Sequence, residues 1–100
     1  MLMKKPALYI MTNKYHGTLY TGVTSDLLRR VHEHKNGRGS EFVLKYGCKM
    51  LVYYFFFDSV TDAIIAEKKL KQGSRQRKIQ LIESVNSEWK DLYAHFFHSE

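Results

Sequence analysis

Two tyrosines, an arginine, a histidine and a glutamate are the side chains in this chain whose types and spacing suit chemistry. Tyr9 lies in "ALYIMT" (7–12) and Tyr20 in "TLYTGV" (18–23), with the polar run "NKYHG" between them. If the two segments pair, the phenols lie near the middle of each strand and can share one face, either as ordinary aromatic cross-strand packing or as proton-handling groups brought together. Arg30 and His34 are four residues apart, so on a helix they share a face, and a guanidinium offers a planar fork to anions. Beside Arg29, Arg30 can equally belong to a solvated surface. His32 and His34, two apart on a helix, point in different directions, which argues against a two-histidine metal site. Glu67 recurs with Ala63 and Leu70 at i, i+4 and i+7, on the stripe that should face the core. A carboxylate there is costly unless it is ion-paired, with Lys71 for example, or bound to a metal.

The elements that must position these groups follow from pattern and punctuation. Residues 7–12 and 18–23 read as strands rich in aromatic and β-branched residues, joined by a turn holding Asn13 and Gly17. "TSDLLRRVHEHKNG" reads as a helix capped by Thr24 or Ser25 and stopped at Asn36-Gly37, with Leu27, Leu28 and Val31 buried. Gly37 to Gly47 reads as a ligand-contacting loop. "KMLVYYFFFD" is a continuous apolar run, expected of a central strand covered on both faces. "SVTD" at 59–62 opens a helix to about Lys71, and Ser74 caps another containing Ile79, Ile82 and Val85. Trp89, Leu92, Tyr93 and Phe96 fit a short terminal amphipathic helix. The order β-β-α-β-α-α describes an α+β fold: a small three-stranded, mostly antiparallel sheet flanked by helices.

One hundred residues suit a single domain, 1–100, and 44% hydrophobic with 14% aromatic content can fill its core, against intrinsic disorder. One cysteine, Cys48, precludes an internal disulfide and a cysteine-based zinc site. The longest apolar run, 50–57, is too short to span a bilayer, and the N-terminus lacks a signal-peptide pattern, so a cytoplasmic protein with no membrane partner is expected. Sixteen basic against ten acidic residues give a net charge of +6. Of these, Lys68, Lys69, Lys71, Arg75, Arg77 and Lys78 fall within "KKLKQGSRQRK" with no acid among them, a pattern that favours a polyanionic partner.

The chain resembles the GIY-YIG nuclease family. "ALYI" stands for the first motif and "YTG" for the second, followed by the helix "DLLRRVHEH", the "AEKKLK" stretch and a tail similar to small stand-alone bacterial members of the UPF0213, excinuclease-like type. The resemblance implies divalent-metal-dependent hydrolysis of DNA phosphodiester bonds, in repair or processing. By position it makes Tyr9 and Tyr20 the motif tyrosines, Arg30 the helix arginine, His34 the position where members carry His or Tyr, and Glu67 the metal-binding carboxylate. These five are the implied catalytic residues, with Mg²⁺ or Mn²⁺ as the cofactor on Glu67. Ala7 stands in place of the first motif's glycine, and Leu8 and Thr21 in place of isoleucines. Val23 stands where some relatives have lysine, and Asn86 loosely matches a late active-site asparagine.

In such a reaction Tyr20 is the candidate general base, Arg30 binds phosphate oxygens, and Tyr9 with His34 orients water. Arg29, Lys68, Lys71, Arg75, Arg77 and Lys78 are the expected DNA contacts. A structured or single-stranded substrate is expected, because so small a domain has little surface for reading bases. Two alternatives stand beside this: a nucleic-acid-binding module without catalysis, and an interaction module using the apolar residues from Trp89 to Phe97.

Overall fold

In the computed structural model, residues 5–97 are described; the expectation about the chain's first residues concerns positions outside that range. Strand β1 (Ala7–Thr12) pairs antiparallel with β2 (Leu19–Thr24) on one side and with β3 (Met50–Phe56) on the other, giving the sheet order β2-β1-β3. Helices α1 (Leu27–Lys35) and α2 (Glu41–Tyr46) separate β2 from β3 in sequence, and α3 (Val60–Gln72) and α4 (Arg75–Val85) follow. A 3-10 segment, Leu92–Phe97, ends the described chain. The α+β reading with a three-stranded antiparallel sheet therefore holds. Among the described residues no helix is long and apolar enough to cross a membrane.

Alternation along β1 sorts the core into two clusters. Tyr9 and Met11 point to the face covered by α1 and α2, where they meet Leu27, Val31 and Val43. Leu8 and Ile10 point to the opposite face, where α3 and α4 supply Leu70, Ile79 and Ile82. Because β1 lies between two strands and beneath two helical layers, all six of its residues are buried.

Four expectations need correction. The apolar run at 50–57 forms an edge strand, and β1 is the central one. Continuous apolarity reports that helices cover both faces of β3 near Leu51 to Tyr53, which is independent of how many strands flank it; further along, Phe55 and Phe56 are exposed. Residues 37–47 are not all loop: Ser40 accepts a hydrogen bond from the Val43 amide, Gly47 ends the turn at φ 65°, and α2 forms between them. Asp26, rather than Thr24 or Ser25, caps α1 through the Arg29 amide, while Thr24 Oγ1 accepts from the Asp26 amide at 3.1 Å. Trp89 lies outside the terminal segment, at φ 58°, and its indole donates to Glu83 at 2.8 Å. The caps at Ser59 and Ser74 stand as read, each accepting from the amide three residues on.

Asn86 ends α4 and fastens it to the sheet. The β1–β3 register shifts between Ile10 and Met11, leaving Val52 without a partner across the ladder. Asn86 Nδ2 donates to the Val52 carbonyl at 3.1 Å and to the Lys90 carbonyl at 2.8 Å, and its Oδ1 accepts from the Lys90 amide at 3.0 Å. These bonds use the whole amide for structure. Asn86→Ala is therefore expected to destabilise the fold by about 2 kcal/mol, the cost of stranding buried backbone groups. Urea unfolding at an unchanged m-value is the check.

Candidate active site

The β1–β2 register sets the geometry. Tyr9 lies opposite Gly22, and Tyr20 opposite Met11, so both phenols project from the α1 face with ring centroids 6.2 Å apart. Tyr9 is held against Gly22: a Cβ at that position would sit 2.7 Å from the Tyr9 hydroxyl and 2.8 Å from Cζ. Glycine here opens room for a ring. Gly22→Ala should displace Tyr9 and cost roughly 1–3 kcal/mol, as overpacking does. The local readout is the His34 imidazole resonance, which shifts when its Tyr9 partner moves.

Helix α1 completes the cluster. His34 Nε2 lies 3.0 Å from the Tyr9 hydroxyl, and the Arg30 charge acts on the same phenol. The imidazole tautomer sets which of the two donates: the Tyr9 hydroxyl donates to a bare Nε2, or accepts from an Nε2 that carries the proton. In the first case the imidazole proton is on Nδ1, which is buried without a partner and faces Gly39, where a Cβ would approach to 2.5 Å. Burial, and then the Tyr20 phenol, raise the Tyr9 pKa against the opposing pull of Arg30, so Tyr9 stays protonated. Burial followed by the Arg30 charge lowers that of His34, which is neutral near pH 7. Arg30 is raised overall: burial opposes its charge, but Tyr9 and Glu33 outweigh it. Glu33 takes the Arg29 Nε at 3.3 Å and the Arg30 Nε at 3.2 Å, holding both arginines along the helix.

The two tyrosines differ in access. Tyr9 and His34 are essentially inaccessible, at 0% and 1% exposure, whereas Tyr20 is half-buried. Tyr20 lines a groove of about 340 Å³ beside edge strand β2 with Leu19, Thr21, Ser40, Phe42, Lys71 and Lys78. Phe42 of α2 packs on Tyr20 with centroids 5.7 Å apart. The groove joins the two sheet faces around the β2 edge, because Tyr20 comes from the α1 face and Lys71 and Lys78 from the helices on the other.

Glu67 projects from α3, the helix over that other face, with its side chain 18% exposed. Its carboxylate holds the Lys71 ammonium at 3.0 Å, the ion pair that the sequence allowed. Its partner Lys71 lines the Tyr20 groove. Among the described residues no three His, Cys, Asp or Glu side chains gather into a metal-binding group. A single oxygen donor fits a hard, strongly hydrated ion that takes one or two carboxylates and fills its remaining positions with water and phosphate. The donor set thus suits Mg²⁺ or Mn²⁺.

The basic run divides between surfaces. Lys71 and Lys78 line the Tyr20 groove, while Lys69 and Arg77 line a separate one on the other side of the α3–α4 corner. Arg75 donates to the His16 carbonyl at 2.7 Å, Lys68 is exposed on α3, and Arg29 is exposed on α1. Glu33, Gly39 and Phe42 are neighbours of the cluster that the sequence reading missed. Ser40 and Gly47, a cap and a stop around an apolar run, were the available signal for α2 and so for Phe42.

Comparison with known proteins agrees with this architecture. The model of the GIY-YIG catalytic domain matches residues 5–80. A UPF0213 protein of Staphylococcus saprophyticus is 38% identical over 80 residues, covering 80% of this chain and 96% of its own. One from Streptococcus agalactiae is 34% identical over 87 residues, covering 87% and 99%. The solution structure of a UPF0213 protein from Bacillus halodurans superposes with a TM-score of 0.56 at 29% identity, covering 90% of this chain and 95% of that one.

Proposed function

Since the chain belongs to the GIY-YIG family, a nuclease superfamily, we propose that it is a divalent-metal-dependent endonuclease that hydrolyses DNA phosphodiester bonds, acting in repair or processing as a single domain. The observation that carries the reading is the cluster of Tyr9, Tyr20, Arg30 and His34 opening, through Tyr20, into a groove lined by Lys71 and Lys78.

The chain's own groups divide the work by access. Lys71 and Lys78 attract the phosphate backbone to the groove without reading sequence. Arg30, 41% exposed and held by Glu33, presents its fork to a phosphate oxygen. Tyr20, the tyrosine that reaches the groove, takes the proton from the attacking water in its phenolate form. Tyr9 and His34 are positioning residues: buried and mutually bonded, they fix Arg30 and the ring of Tyr20. Glu67 is the residue that would hold Mg²⁺ or Mn²⁺, which when bound polarises the phosphate and stabilises the departing 3′-oxygen. Lys71 must release the carboxylate for that, and is then free for phosphate.

The direct test is a panel of labelled duplex, branched and single-stranded DNAs incubated with Mg²⁺, Mn²⁺ or chelator. Metal-dependent strand cleavage is expected. Binding with no cleavage of any substrate would turn the reading to a non-catalytic nucleic-acid-binding module. On the binding side, Lys78→Glu should weaken all DNAs alike and reduce the magnitude of the salt slope by about one. Unchanged affinity would remove the groove from the DNA path.

A further inference from the structure

We infer that the groove on the far side of the α3–α4 corner is a second binding site, which takes an unpaired base and its phosphate from single-stranded DNA. It rests on the nucleic-acid half of the reading above and is independent of cleavage. The groove is about 400 Å³, the size of small-ligand sites, and its lining includes Leu8, Phe55, Phe57 and Leu81 together with Lys69 and Arg77.

Several features fit that occupant. Phe55 pairs with Leu8 across the ladder, so it points to the helix-covered face, yet it is 51% exposed. Edge-on packing against Phe57, with centroids 4.9 Å apart, fixes the Phe55 ring while leaving it accessible for a base to stack on. Tyr53, kept protonated by burial, adds a phenol to the lining. Among the described residues, neither Lys69 nor Arg77 is in an ion pair, and no acid lines the groove. An apolar surface bordered by two cations of this kind matches a flat base attached to an anionic backbone.

Charge decides against the nearest rival. A second copy of this chain would bring another +6 to an already basic surface. Duplex DNA keeps its bases stacked and cannot place one on Phe55 without unpairing it. Connectivity then ties the two grooves together: Arg77 lines this one and its neighbour Lys78 lines the Tyr20 groove. One strand crossing the start of α4 meets both. The favoured substrate is therefore DNA with an unpaired stretch next to the cut.

The test titrates isotope-labelled protein in chelator, where no cleavage occurs, with a short oligothymidylate and separately with a duplex. The oligothymidylate should shift the Leu8, Phe55, Phe57 and Leu81 resonances in a saturable, salt-sensitive way, and the duplex should leave them in place. Phe55→Ala should weaken oligothymidylate binding about tenfold or more, the usual loss of one base–aromatic stack. Phe56→Ala, on the opposite face of the same strand, should leave it unchanged. Shifts confined to the Tyr20 side, or equal binding by Phe55→Ala, would overturn the inference. So would a lower sedimentation mass for Phe55→Ala with no oligonucleotide shifts, which would mark a self-association surface. Cleavage is scored separately with metal: a protein that never cuts but binds oligothymidylate through Phe55 keeps this site and loses the nuclease reading. A protein that cuts without using Phe55 does the reverse.

Discussion

Glu67→Ala is expected to lower metal-dependent cleavage by on the order of a thousandfold or more, with DNA affinity and fold retained. A carboxylate repels phosphate, so its removal takes no attraction away from DNA. Stability should change little. Losing the i, i+4 pair with Lys71 costs about 0.3–0.5 kcal/mol, and alanine's higher helix propensity offsets a similar amount. This balance makes the variant informative, because the structure also supports a plainer role in which Glu67 is a helical partner for Lys71. Under that plainer role, cleavage by Glu67→Ala stays near the parent rate. Three measurements separate the cases: turnover with Mg²⁺ and with Mn²⁺, oligonucleotide affinity in chelator, and the urea midpoint. Loss of turnover with the other two unchanged supports the metal-anchoring role; unchanged turnover removes it.

The anomaly at Glu67 was legible because a helix repeats every 3.6 residues and a carboxylate interrupts the apolar stripe. What the stripe could not give was the direction of the interruption. Helix α3, which carries Glu67, packs through Leu70 on the sheet face opposite Tyr9, and the Lys71 that Glu67 holds lines the Tyr20 groove. The hairpin was equally legible: two β-rich segments with a short polar turn leave few registers, and the one adopted puts both phenols on one face. The choice of edge strand was not. A strand buried on both faces by helices carries the same unbroken apolar run whether one or two strands flank it, so "MLVYYFFF" looked central. The basic run divides between two grooves for a related reason. Consecutive helical residues diverge by about 100°, so Arg77 and Lys78 serve different grooves although they look like one patch in the sequence. Asn86 shows the limit of positional matching: its amide is taken up by the Val52 and Lys90 backbone, a demand created by a strand irregularity far away in sequence.

The difference in access between the two tyrosines leads to the second large effect. Tyr20→Phe keeps the ring that packs against Tyr9, His34 and Phe42 and removes only the phenolic oxygen. Cleavage should fall about a hundredfold or more, the usual contribution of a positioned general base, with the urea midpoint unchanged. Tyr9→Phe removes a buried hydroxyl bonded to His34, so its signature is different: about 1–2 kcal/mol of lost stability, with a smaller loss of turnover. The pH dependence of stability gives Tyr9 an independent readout. His34 titrates below its ordinary 6.5 in the folded chain, so the unfolded chain binds its proton first as pH falls. The stability linked to neutral His34 is therefore complete above about pH 6.5 and lost as pH falls through the folded-state value. Where the Tyr9 hydroxyl is the donor to Nε2, Tyr9→Phe makes protonation of that nitrogen less costly and narrows this acid-sensitive window. Tyr20→Phe should leave the window where it is. A Tyr20→Phe protein that cuts DNA at the parent's rate would make Tyr20 a packing residue, and the proton of the attacking water would have to go elsewhere.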